Sequence, residues 1–306
     1  MTTKSIMVTI CGRPNVGKST ITNALVGEKI AIVSDKPQTT RNRITAIVNR
    51  GDTQFILMDT PGFHKPRTRL GDYMVNVVRE SVADVDAIVM MVEPTEQIGR
   101  QEEELIKRLK GSKVPVILAI NKIDTIDKTK LLPVILNYSN AYPFEAVVPV
   151  SALTGEGLDE LMDELEKHAE EGPQLFPDDM ITDQPERQIC AELVREKLLN
   201  CLDKEVPHGT AVEITRFHER DDGVIEIDAT IYCEKDSHKG IIIGKHGAML
   251  KKWESRPVRI WRSSWEQRSF CRPGSRSRRT GEIPQTSSAI SVSQEIEEEC
   301  IRRRMR

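Results

Sequence analysis

Apolar residues in the first half of the chain come in short runs separated by polar or periodic stretches. Six of these runs predict strands, at residues 5–10, 44–49, 54–58, 87–92, 116–120 and 146–150. Most are apolar nearly throughout, as expected of a sheet buried on both faces rather than wetted on one. Helical patterns begin at residue 20 and cover 101–109 and 158–169. The alternation predicts an α/β doubly wound, mostly parallel sheet over residues 1–171. Ligands of such sheets sit at the carboxyl ends of the strands.

A different pattern follows. Residues 172–188, with Gly172, Pro173, Pro177 and Pro185 amid acids, predict a linker. Ile189, Leu193, Leu198, Leu199 and Leu202 would then share one buried helical face. Residues 210–217 and 224–232 alternate with period two, and Asp221-Asp222-Gly223 between them signals a hairpin turn. A small α+β domain over 189–252 results. It contains Ile241-Ile242-Ile243-Gly244-Lys245-His246-Gly247, where two glycines bracket a lysine and a histidine.

Composition narrows the class. The chain has 306 residues, 38% hydrophobic and 30% charged, which describes a globular protein with room for two domains. No apolar run approaches the about 18–20 residues of a membrane span. The start, Met1-Thr2-Thr3-Lys4, has no signal-peptide core, so a cytoplasmic location is expected. The six cysteines are scattered without a C-x-x-C pair, which indicates neither a zinc site nor a disulfide framework.

The chemistry gathers at the predicted strand ends. Gly12-Arg13-Pro14-Asn15-Val16-Gly17-Lys18-Ser19, followed by Thr20 at a helix start, fits the phosphate-binding pattern G-x-x-x-x-G-K-S/T. Glycines let the loop turn its N–H groups inward onto phosphate oxygens, and the helix start adds positive potential. Lys18 would reach the β- and γ-phosphates, and the Ser19 hydroxyl would ligate Mg²⁺. Asp59-Thr60-Pro61-Gly62 follows the third strand. Its carboxylate suits Mg²⁺ through water, and the Gly62 N–H suits a γ-phosphate. Between them, Lys36 to Arg41 reads as a switch loop whose threonine hydroxyl completes the Mg²⁺ shell when a γ-phosphate is present. Thr40 is favoured, with Thr39 the alternative. Asn121-Lys122-Ile123-Asp124 would read guanine: the Asp124 carboxylate accepts from two base N–H groups that adenine lacks. Ser151-Ala152-Leu153 would offer a backbone N–H to the base oxygen.

Those five segments, Gly12–Ser19, Pro37–Arg41, Asp59–Gly62, Asn121–Asp124 and Ser151–Leu153, carry a resemblance to the translation-factor-like GTPases, and within them to the Era family of ribosome-associated GTPases. The resemblance extends to about Lys252. It implies a P-loop GTPase domain followed by a type II K-homology domain, with residues 241–247 clamping RNA. It also implies GTP hydrolysis, Mg²⁺, binding of small-subunit (16S) ribosomal RNA, and a role in small-subunit maturation. Monomeric behaviour and peripheral contact with the inner face of the cell membrane are further expectations. Ras-type enzymes carry a water-positioning glutamine after D-x-x-G. Here Phe63 stands there, leaving His64 and Gln54 as candidates. The resemblance points instead to Asn15, which in related GTPases helps hold a K⁺ ion beside the phosphates. The alternatives are a tRNA-modifying GTPase of the same superfamily and a non-hydrolysing, nucleotide-regulated RNA-binding module.

After Lys252 the resemblance stops. The net charge of −3 hides a tail, residues 253–306, holding twelve Arg, seven Glu and all three Trp, but no Lys and no Asp. This is the composition of a chain translated out of frame. Taking the last base of each codon with the first two of the next lets Trp253 to Arg272 be read as V-G-V-K-A-R-T-D-L-E-E-L-L-G-A-K-V-F-L-Q. Gly274 to Val292 become W-V-K-V-K-K-D-W-R-D-S-P-N-L-L-R-D-F-G. The first string holds the helix and strand start that the domain lacks. A single-base deletion near the Lys252 codon is therefore expected, with an incomplete second domain and a disordered tail.

Overall fold

The computed structural model describes residues 3–37, 39–62, 85–202, 206, 209–219, 224–249 and 288–297. They fall into two compact units, Met1–Asp183 and Gln184–Arg306.

In the first unit the strands are β1 (Lys4–Gly12), β2 (Ile44–Arg50), β3 (Thr53–Asp59), β4 (Ala87–Val92), β5 (Val116–Ile120), β6 (Ala146–Pro149) and the short β7 (Glu170–Glu171). The sheet order is β2-β3-β1-β4-β5-β6, with β7 pairing the start of β1. β2 and β7 run antiparallel to their neighbours and the other pairs are parallel. The apolar runs are explained by burial on both faces. Val89 and Met91 join one core with Ile6, Val8 and Ile10. Ile88, Met90 and Val92 join a second core with Cys11 on the opposite face. Helices α1 (Lys18–Val26) and α4 (Leu158–Glu166) cover the first core; α2 (Arg100–Leu109) and α3 (Leu131–Ala141) cover the second.

The predicted strands and helices of this unit are all present. Helix α3 is an addition to them: Pro133 breaks its pattern early, but it lies in the first turn, where a missing N–H costs no helical bond. Val134 and Tyr138, one turn apart, anchor it in the core.

The segment expected as a free linker lies along the edge strand β2. Ile47 N–H donates to Ile181 O at 2.9 Å, and the Thr182 hydroxyl donates to Thr45 O at 2.7 Å. Asn49 Nδ2 donates to Asp178 O at 2.9 Å. These bonds explain why the compact unit extends to Asp183 rather than ending near Glu171. Gln54 completes the attachment. Fully buried at the amino end of β3, it donates to Phe176 O (2.9 Å) and Asn49 Oδ1 (3.0 Å) and accepts the N–H groups of Leu175 and Phe176 (2.9 Å each). Its amide is spent on the linker at the end of the strand away from Asp59, so it does not position water.

In the second unit, α5 (Glu186–Cys201), β8 (Thr210–Glu219), β9 (Val224–Cys233) and α6 (Asp236–Ile243) follow the predicted helix, strand, strand, helix order. Val194, Leu198, Leu202, Val206, Ile231, Cys233 and Ile242 form its main core. The turn at Asp221-Asp222-Gly223 lies outside the described residues. From the tail expected to lack structure, β10 (Ser288–Glu297) pairs antiparallel with β9, whose edge away from β8 is open to it. Ile290, Val292 and Ile296 repeat with period two, which suits a strand. The other tail residues lie outside the described set.

Candidate functional site

The P-loop joins β1 to α1 at the carboxyl edge of the sheet. Asn15 (φ 66°) and Gly17 (φ 97°) adopt left-handed backbone, a conformation that turns successive N–H groups to one side. A Cβ at Gly17 would stand 2.2 Å from Asn121 Nδ2, so no other residue fits there. Lys18 is 6% exposed and its ammonium folds onto the carbonyls of Arg13 (3.0 Å) and Gly12 (3.3 Å). Burial lowers its pKa, against the pull of Asp59 and Cys11. Bonds to neutral carbonyls are weaker than those to a charged phosphate, so an arriving phosphate has the advantage.

Beside Lys18 three oxygen-bearing side chains converge. Ser19 donates to Asp59 Oδ2 at 2.7 Å and lies 2.8 Å from the Thr40 hydroxyl. Asp59 is fully buried, and its other oxygen, Oδ1, has no hydrogen-bond partner among the described residues. Burial pushes its pKa up to about 6, although Lys18 and the Ser19 bond pull it down. An orphaned buried carboxylate oxygen flanked by two hydroxyls fits a hard divalent cation such as Mg²⁺. Of the two candidate threonines, Thr40 is in this corner, whereas the Thr39 hydroxyl is turned to Lys36 O at 2.7 Å.

The D-x-x-G segment packs on the P-loop. Thr60 is buried and its hydroxyl donates to Ile10 O at 2.8 Å, tying the segment to β1. Pro61 follows it, also buried. A Cβ on Gly62 would lie 2.8 Å from Pro14 Cα, so the approach of the two loops requires glycine. Phe63 and His64 lie outside the described residues.

On the far side of the loop, Asn121 is 2% exposed. It donates to Val16 O (2.7 Å) and accepts from Ala152 N–H (2.9 Å), which fixes the base-reading loops to the P-loop. Asp124 remains exposed, with one oxygen holding the Ser151 hydroxyl at 2.6 Å. Ser151 N–H donates to Glu156 O at 2.8 Å, and Leu153 is 80% exposed. Lys122 (φ 66°) sends its ammonium back to Asn15 O at 2.8 Å and to Glu93. The Asn15 amide donates to Asp35 O at 2.5 Å. Arg13, Pro14, Thr20, Val33 and Gly62 are among the residues that enclose the resulting cleft of about 590 Å³.

Two useful residues carry no motif that marks them in the sequence. Asn23 holds the base of the switch loop, accepting from Ile30 and Ala31 N–H and donating to Ala31 O (2.7–3.0 Å). Glu93 joins Arg13 to Lys122. The available signal was its place directly after β4, at the strand end where ligand contacts lie.

In the second unit Gly244, at φ 72°, ends α6, and a Cβ there would meet Met249 N at 2.8 Å. Lys245 and His246 (φ 54°) are exposed on the short turn Lys245–Gly247. Ile241 to Ile243, expected among the residues that clamp RNA, do not share one face. Successive helical residues point about 100° apart, so Ile242 is buried in the core, Ile241 is 49% exposed and Ile243 is half-buried.

The phosphate loop, the corner of Ser19, Thr40 and Asp59, and the loops at Asn121 and Ser151, all on a mostly parallel sheet, define a P-loop GTPase. Residues 7–122 match the 50S ribosome-binding GTPase family, and residues 205–256 match the KH domain family. The chain is 55% identical to GTPase Era of Ruminiclostridium cellulolyticum over 252 residues, covering 82% of this chain and 85% of that one. Against GTPase Era of Clostridium acetobutylicum the identity is 51% over 249 residues (81% and 84%). A crystal structure of Era with MgGDPNP and nucleotides 1506–1542 of 16S ribosomal RNA is similar at TM-score 0.80 and 40% identity, covering 83% of this chain and 87% of that one. An Aquifex aeolicus Era variant bound to GDP·AlF4⁻ gives TM-score 0.79 at 39% identity (82% and 86%). The chain belongs to the Era family of GTPases.

Proposed function

We propose that this GTPase is a nucleotide-governed binder of small-subunit ribosomal RNA that assists maturation of the small ribosomal subunit. The observation that carries this is the union, on one chain, of the Ser19–Thr40–Asp59 corner with a KH domain presenting Lys245 and His246 at Gly244-x-x-Gly247. A similar structure holds MgGDPNP and a 16S RNA fragment. Ser19, Thr40 and Asp59 would hold Mg²⁺, directly or through water, and the ion would neutralise developing phosphate charge. Lys18 and the Gly62 N–H would stabilise the transferred phosphoryl group. Asn15 would hold K⁺ beside the phosphates, near the Asp35 carbonyl it already touches, acting as an arginine finger does. Crosslinking followed by RNA sequencing tests the reading. Recovery of the 3′ region of small-subunit RNA is expected; enrichment of tRNA overturns it. Hydrolysis should run faster in K⁺ than in Na⁺, and Asn15→Ala should erase the difference.

The tail belongs to the same proposal: residues 253–306 are out-of-frame translation, and the functional chain ends in the helix and strand hidden in the shifted frame. Support comes from the match length. The 252 residues shared with the Ruminiclostridium relative equal the length before Trp253, while about 15% of that relative is left without a counterpart. Resequencing decides the matter: an unshifted codon run through Lys252 refutes it.

A further inference from the structure

Glu93 follows β4 directly. Its two carboxylate oxygens are divided between cations from different loops: Oε2 takes Arg13 Nη2 of the P-loop, and Oε1 takes Lys122 Nζ of the guanine-reading loop. The Lys122 ammonium donates in addition to Asn15 O at 2.8 Å. Arg13 is held a second time by Glu102, Nε to Oε1 at 2.7 Å, and Glu102 is 6% exposed. The four charges balance, and Glu93 also lines the cleft.

This arrangement differs from an ordinary surface ion pair. The Lys122 side chain is flexible, and its stem must lie over the base to contribute to binding. Anchoring its ammonium at two points on the phosphate side removes that freedom before nucleotide arrives, so less ordering remains to be done on binding. Asn121 supplies a neutral link between the same two loops; Glu93 adds a charged one.

We propose that Glu93 is a positioning residue for guanine nucleotide: it fixes Lys122 over the base and Arg13 in the P-loop, so that the two halves of the site act as one rigid clamp. The proposal rests on the reading of this cleft as the guanine-nucleotide site.

The test uses the whole chain and fluorescently labelled GDP. Glu93→Gln keeps the shape and removes the charge. A charge-assisted bond lost from a partly buried site corresponds to a tenfold or larger change, so GDP should dissociate about tenfold faster. The KM for GTP should rise with it, and kcat should fall less than KM rises. Glu93→Asp should recover part of the loss. Glu102→Gln, which touches Arg13 but not Lys122, should alter dissociation much less. In a cycle with Lys122→Met, the double variant should release GDP only slightly faster than Lys122→Met alone, the remainder coming through Arg13. Unchanged dissociation in Glu93→Gln, equal acceleration by Glu102→Gln, or full additivity in the cycle would each overturn the positioning role. Failure of the unaltered chain to retain GDP would overturn the site reading itself, a separate outcome.

Discussion

The two units reach their ligands by different means. In the first, strand side chains are buried on both faces, and every functional loop leaves the carboxyl edge of a sheet with two complete cores. In the second, among the described residues, two helices and a hairpin bury two smaller clusters, of seven and four residues. Small domains bury a smaller fraction of their surface and have less stability in reserve. The nucleotide site should therefore survive damage elsewhere in the chain better than the Gly244–Gly247 loop, which rests on the smaller core.

Restoring the reading frame should produce the largest change. If the tail is out of frame as proposed, the present chain would order its Gly244–Gly247 loop without the helix and strand of the shifted frame, and ordering on binding takes about 2–5 kcal/mol from the interaction. A frame-restored chain should bind a 16S 3′-end oligonucleotide about a thousandfold more tightly, with GTP affinity nearly the same in both. Equal RNA affinities in a filter-binding titration would mean that β10, pairing with β9 along Ser288–Glu297, serves as well as the strand of the shifted frame.

The next effect lies in the first unit and concerns its most costly group. Folded, Asp59 titrates at about 6 rather than its ordinary 3.8. Between those values the folded state binds more protons than the unfolded one, so without metal this group's contribution to stability falls as pH rises from about 4 to 6 and is flat above. A rise of that size corresponds to about 3 kcal/mol. Asp59→Asn should remove that slope and raise the metal-free stability at pH 7 by up to about this amount, read by urea denaturation. With Mg²⁺ and GTP present the order should reverse. A variant no more stable than the parent at pH 7 would mean that the carboxylate is not held at a cost.

Asp124→Asn should act more locally. The exchange replaces an acceptor with an amide carrying its own donors, and loss of charge-assisted bonds to the base should weaken GTP about thirtyfold. Xanthosine triphosphate, whose 2-oxo group accepts from that amide, should gain. Unchanged GTP preference by calorimetry would remove Asp124 from base recognition.

What the sequence disclosed and what it withheld divide along the same line. The strands were legible because a two-faced buried sheet leaves unbroken apolar runs, as at Ala87–Val92. Motif spacing then revealed the loops between them. Thr40 was favoured, but Thr39 stayed an alternative, because adjacent hydroxyls differ only in which way the backbone turns them. Glu93 and Asn23 escaped because each works through contacts distant in the chain, and Gln54 misled for the same reason. Ile241 to Ile243 read as one apolar run but point three ways on the last turn of α6.

Gln54 offers the smallest and most pointed test of how the first unit holds the segment that leads toward the second. Its amide fastens the departing chain to the first unit through Leu175 and Phe176, at the end of β3 opposite Asp59. Gln54→Leu keeps most of the volume but removes the partner of two N–H groups, the Phe176 carbonyl and the Asn49 amide oxygen. The linker is partly exposed and water can reach it, so the cost should be about 1–2 kcal/mol rather than the full penalty for buried orphans. A melting-temperature drop of a few degrees is expected, with faster proteolysis between residues 173 and 180 and unchanged GDP affinity. Altered GDP affinity would instead mean that the edge strand β2, which begins at Ile44 opposite Asp59, transmits linker position to the corner formed by Ser19, Thr40 and Asp59 within the first unit.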